Sequence, residues 1–105
     1  MTFQFECYTI DPPRRELRCQ GELVHVEPQV FDVLVYLVEN RDRVVTKDEL
    51  FATVWQGRIV SETTLSSRIN AARRAIGDTG GRQALIQTIA RRGFRFIGEA
   101  SEQGA

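Results

Sequence analysis

One histidine, two cysteines and no apolar run near the ~20 residues of a membrane helix leave few chemistries open to this sequence. His25 has no second histidine with which to build a metal cluster. Two cysteines make no zinc site without further ligands. No carboxylate pair stands with a histidine base, and no glycine-rich phosphate loop occurs. The chain is therefore expected to be no enzyme and to carry neither cofactor nor metal. Residues 1–5 lack the basic-then-apolar order of a secretion signal, so the cytoplasm is the expected compartment, with no membrane contact within the chain. Cys7 and Cys19 lie in short apolar-alternating stretches and are expected as buried, reduced thiols, a disulfide being the alternative. A length of 105 residues fits one domain.

The formal net charge is zero, which at first argues against a polyanionic partner. Its distribution argues the other way. Residues 1–60 hold seven Lys/Arg against ten Asp/Glu. Residues 61–98 hold seven arginines against only Glu62 and Asp78. Arginine offers the planar fork that suits phosphate and guanine, and a local basic face is what nucleic-acid recognition needs.

Hydrophobic spacing divides the chain. Residues 3–10 alternate like a strand, with Phe3, Phe5, Cys7 and Tyr8 at apolar positions. Asp11-Pro12-Pro13 is a turn, and two short strands flank Gln20-Gly21-Glu22, giving a small antiparallel sheet. Pro28 suits the first turn of a helix, and Phe31, Leu34, Val35, Leu37 and Val38 follow helical spacing up to Asn40. Thr46-Lys47-Asp48-Glu49 is a capping box before the apolar positions Leu50, Phe51, Val54 and Trp55, with Gly57 beyond the helix end. Trp55 reads mainly as packing, with a phosphate-donating indole as the alternative. Ser61 caps a third helix, 61–76, closed by Gly77. After the loop Asp78-Thr79-Gly80-Gly81, two β-prone runs flank Ala90-Arg91-Arg92-Gly93, a hairpin with a basic tip spanning 86–97. The expected fold is α+β: an N-terminal antiparallel sheet, three helices and a C-terminal hairpin. Residues 1–98 form the expected domain and 99–105 a flexible tail.

The third helix carries the chemistry. At 100° per residue, Leu65, Ile69, Ala72 and Ile76 share one face, and Thr63, Ser67, Asn70 and Arg74 share the opposite one. That outer stripe holds no acid. Short hydroxyl and amide side chains let a helix sit deep in a major groove, where bases expose donors and acceptors. Arg68 and Arg73 flank the stripe and are expected to reach phosphates. An ordinary solvated helix is the competing reading. The hairpin favours the sharper one: Arg91, Arg92 and Arg95 cluster near its tip, and arginine is drawn to narrow minor grooves.

Three stretches taken in order resemble the effector domain of OmpR-type response regulators: V-T-K-D-E-L-F-A-T-V-W from Val45, S-E-T-T-L-S-S-R-I-N-A-A-R-R-A-I-G-D from Ser61, and I-Q-T-I-A-R-R-G-F-R-F from Ile86. The R-R-G-F-R-F ending most resembles the CadC- and ToxR-like members, which carry the domain N-terminally. The likeness covers about residues 3–98. It implies a winged helix-turn-helix with a four-stranded N-terminal sheet, acting as the sequence-specific double-stranded DNA-binding domain of a bacterial transcription regulator. By position it implies phosphate contacts from Thr63, Thr64, Arg68 and Arg73, and base contacts from Ser66, Ser67 and Asn70. It sets Thr88, Arg91, Arg92 and Arg95 near the DNA backbone. The loop 56–60 corresponds to the segment that touches RNA polymerase in some members, and a homodimer on DNA is a further expectation. Asn70 and Ala71 stand where many members have arginines, and Ala90 replaces a frequent wing arginine. A winged helix serving protein or RNA contacts is the alternative function, since fold does not fix function.

Overall fold

Tight turns fold the first sheet back on itself, and the first of them has no glycine. In the computed structural model, which describes residues 1–104, the alternating stretch 3–10 breaks into β1 (Thr2–Phe5) and β2 (Tyr8–Asp11). Glu6 makes that turn at φ +51°, a left-handed conformation that a side chain rarely adopts and that no glycine or asparagine announces. The strands β3 (Glu16–Cys19) and β4 (Glu22–Val24) follow, joined at Gln20 and Gly21. Phe3, Phe5, Ile10 and Leu17 turn to the buried side.

Two expectations fail here. Cys7 and Cys19 are not buried thiols: both are half-buried and joined in a disulfide. The register explains it. Tyr8 pairs with Cys19, and Gln20 N donates to Cys7 O at 3.0 Å, so the Cα atoms of the two cysteines stand 5.0 Å apart. Nor is the whole stretch after residue 98 a free tail. Ser101–Gln103 forms the last strand, β8, antiparallel to β1, so the sheet has five strands in the order β4-β3-β2-β1-β8. An edge strand offers unpaired backbone groups to any extended segment within reach. Arg41 pairs with Glu102 at 3.6 Å and adds a side-chain tether.

The helices follow the caps. The first, α1 (Pro28–Glu39), starts on its proline and buries Val30, Phe31, Val33, Leu34, Leu37 and Val38. A two-residue strand β5 (Val45–Thr46) leads into α2 (Lys47–Thr53), whose capping box is complete: Glu49 N donates to Thr46 Oγ1 at 3.1 Å and Thr46 N to Glu49 Oε1 at 3.1 Å. The third helix, α3 (Glu62–Ala75), packs against α1 and buries Leu65, Ile69 and Ala72. The strands β6 (Ile86–Ile89) and β7 (Gly93–Phe96) form the hairpin, and β7 pairs with β5 on its other side. Gly93 is required there: a Cβ would come 1.9 Å from Val45 O. That close approach lays the hairpin against the start of α2, where Lys47 N donates to Arg92 O at 3.3 Å. Among the described residues, no helix is long and apolar enough to cross a membrane.

Candidate nucleic-acid interface

Ser61 opens α3 by accepting a hydrogen bond from Thr64 N at 3.1 Å, and its hydroxyl also meets Thr64 Oγ1 at 3.0 Å. Arg73 and Arg74 lie in the last turn, where cations complement the helix dipole. Buried Leu65, Ile69, Ala72 and Ile76 hold one face inward. Thr63, Ser66, Ser67, Asn70 and Arg74 are exposed on the other. Thr64 and Arg68 are half-buried at its flank, and Arg68 Nε donates to Gln29 Oε1 at 3.1 Å, so this arginine is steered by α1.

Arg73 departs from the expected phosphate contact. It is 4% exposed and its guanidinium is used inside the protein. Nε donates to Ile86 O at 3.0 Å, Nη1 to Asn70 Oδ1 at 3.0 Å and Nη2 to Thr88 Oγ1 at 2.8 Å. Its flanking angle on the helix turns it toward the hairpin, where β6 supplies two of those acceptors. Burial lowers its pKa from the ordinary arginine value, and the charge of Asp78 acts against that shift.

Asp78 is the second buried charge, 2% exposed. Its Oδ1 accepts from the amides of Thr79 and Ala84, both at 2.8 Å, and its Oδ2 from those of Leu85 at 2.9 Å and Ile86 at 3.0 Å. Burial alone would raise its pKa; the four amides outweigh that, and the carboxyl lies below its usual value. This one acid ties the end of α3 to the start of β6, and so sets the hairpin against the helix.

Between α3 and the hairpin runs a cleft of about 190 Å³ lined by Ser66, Asn70, Arg73, Thr88, Arg91 and also Lys47. Lys47 was absent from the expected set. It reaches the cleft because the α2 start is stapled to the hairpin, and its Nζ lies 3.4 Å from Glu62 Oε1. It is the only lysine in the chain, a weak signal by itself. Arg91, at φ +66°, and Arg92 are exposed at the hairpin tip. Arg95 is not brought to this cleft. Thr88 pairs with Phe94 on the cleft side, whereas Arg95 pairs with Gln87, and strand neighbours alternate faces. Arg95 Nε donates instead to Arg41 O at 3.3 Å. Trp55 is buried, its ring 6.0 Å from that of Phe51, as packing requires. The loop 56–60 carries Ile59, whose side chain is fully exposed.

Comparison with known proteins adds a family. Residues 21–96 match the model described as "Transcriptional regulatory protein, C terminal". The chain is 24% identical over 91 residues to the transcriptional activator CadC of Escherichia coli (strain K12), covering 86% of this chain and 18% of that protein. It resembles the Klebsiella pneumoniae RstA DNA-binding domain, solved in complex with the RstA box, with a TM-score of 0.78 and 25% identity over 90% of this chain and 95% of that one. The Thermotoga maritima response regulator DrrB, described as an OmpR/PhoB homologue, superposes with a TM-score of 0.82 and 31% identity, covering 92% of this chain and 44% of that one. The chain thus spans a minor part of CadC and less than half of DrrB.

Proposed function

The chain belongs to the family of C-terminal domains of transcriptional regulatory proteins, and from that membership we propose that it binds double-stranded DNA sequence-specifically for a bacterial transcription regulator. The observation that carries this reading is the outer face of α3, free of acid beyond Glu62, beside a basic hairpin, the two sharing one cleft. In this reading α3 lies in the major groove and the hairpin is the wing, set on the backbone or in the adjacent minor groove. Ser66, Ser67 and Asn70 face base edges. Thr63, Thr64, Arg68 and Arg74 reach phosphates on either side, and Lys47, Thr88, Arg91 and Arg92 meet the backbone at the wing. Arg73 is left out of the contact set because its guanidinium is buried and engaged within the protein, and Arg95 because it lies on the hairpin face away from the cleft.

Two further partners belong to this proposal. The loop 56–60 presents Ile59 as an apolar contact for RNA polymerase, and a second copy occupies a neighbouring half-site about 10–11 bp away. The cytoplasm is the compartment where this activity is placed. No catalytic step is assigned to any residue.

Anisotropy titration against a labelled duplex tests the DNA reading. With roughly four phosphates neutralised, log K should fall against log salt with a slope near −4 between about 50 and 300 mM. Binding without salt dependence, or tighter binding to single-stranded RNA of the same sequence, contradicts it.

A further inference from the structure

Asn70 can present either end of its carboxamide to a base, and the two ends read opposite patterns. The oxygen accepts and the nitrogen donates. Arg73 removes the choice. A guanidinium has five N–H donors and no acceptor, and this one is buried and held on three sides by Ile86 O, Thr88 Oγ1 and Asn70 Oδ1. Turning the Asn70 amide over would set its N–H groups against the arginine's. Gly80 closes the same end from outside: a Cβ there would lie 3.2 Å from Asn70 Oδ1 and 3.7 Å from Arg73 Nη1.

We infer that Arg73 is a positioning residue that fixes the hydrogen-bond polarity of Asn70, so that α3 offers a donor to the base beneath it. The inference rests on the DNA-binding reading. The outward Nδ2 then favours a base edge bearing an acceptor, namely the N7 of a purine, guanine O6 or thymine O4. It disfavours cytosine, whose major-groove edge is a donor. The same guanidinium holds Thr88 on the wing, so it also sets the spacing between the two DNA-facing elements.

Two variants and one spectroscopic readout test this. Asn70→Asp keeps an oxygen toward Arg73 and exchanges the outward donor for an acceptor. Selection from random duplexes should then return the wild-type motif with one base pair changed, to a base presenting an amino group there, cytosine above all. Arg73→Lys keeps the charge but cannot bridge three acceptors. Its preference at that one base pair should fall about tenfold, with the other positions unchanged. In the DNA-free protein, the Asn70 side-chain amide resonances should shift and exchange faster in Arg73→Lys than in the wild type. An Asn70→Asp motif identical to wild type overturns the inference. So does an Arg73→Lys protein that binds every duplex equally weaker, as loss of a phosphate contact would make it, or one whose Asn70 resonances do not move. Should Arg73→Lys fail to fold, the Asn70→Asp motif decides, since that side chain is exposed. A wild-type chain with no duplex preference refutes the DNA reading instead, and the resonances still report on the amide.

Discussion

Asp78→Asn is the substitution whose effect the structure fixes most closely. The carboxylate accepts four backbone hydrogen bonds between 2.8 and 3.0 Å while 2% exposed. Asparagine has one acceptor oxygen and one NH₂ group of nearly the same shape. Its oxygen is expected to turn to the buried Leu85 and Ile86 amides, leaving its NH₂ against the Thr79 and Ala84 amides. Hydrogen bonds to a charged group contribute about 1.5–3 kcal/mol each, and water recovers part of the two lost at this partly buried end. Arg73 also loses the nearest charge opposing its desolvation. Together these give a destabilisation of about 2–4 kcal/mol, a large share of the roughly 5–15 kcal/mol expected for a domain of this size. In urea, with a slope of about 2 kcal/mol per M, the midpoint falls by about 1–2 M. The pH dependence has a definite sign. The folded pKa of Asp78 is depressed, so its stabilisation is complete above the unfolded value of about 3.9 and is lost as pH falls through the folded pKa. The gap between wild type and variant should therefore close in acid. A midpoint shift under about 0.25 M at neutral pH would refute the reasoning, because it would make Asp78 energetically a surface acid.

Three other outcomes follow from named contacts. Gly93→Ala forces β7 away from Val45 O and should destabilise by about 3 kcal/mol or more, lowering Tm by over ~10 °C; a variant melting within ~2 °C of wild type contradicts the close approach. Arg43 holds the Glu49 carboxyl down to about 2 from 4.5, helped by the amide of Thr46. Its contribution is thus present above pH 4.5 and lost as pH falls toward 2, and Glu49→Gln should flatten the acid limb of a stability–pH curve over that window. Replacing Arg91 and Arg92 together by alanine should reduce the salt slope of duplex binding by about two without altering base preference, which a competition series over mismatched duplexes would check.

Local rules carried the helices and the hairpin. Pro28, Thr46 with Glu49, and Ser61 each act within one turn, so their helix starts are written in adjacent residues. The inward and outward faces of α3 followed from angle alone, except at Arg73. That residue sits at the flank, where the angle does not decide, and its burial depends on acceptors that β6 brings from thirteen and fifteen residues away. The isolated acid Asp78 was the available signal for a buried partner. Strand β5 is too short to show a period, and β8 is polar and exposed throughout, so neither carries a hydrophobic pattern. The disulfide depends on a turn at Glu6 that no residue type announces, and on the β2–β3 register closed by the separate turn at Pro12–Arg15. That Arg95 lies on the hairpin face away from the cleft was not legible, because charge near a hairpin tip says nothing of which face it occupies.

Selection of bound duplexes from a random pool, run on the wild type and on Asn70→Ala, tests the central claim most directly. The wild type should enrich a single motif. Asn70→Ala should enrich the same motif with one base pair relaxed, at a cost of about 1–3 kcal/mol on the preferred site. A wild-type pool without enrichment over its starting composition, or an Asn70→Ala motif and affinity indistinguishable from wild type, would contradict the assignment of α3 as the element that reads DNA.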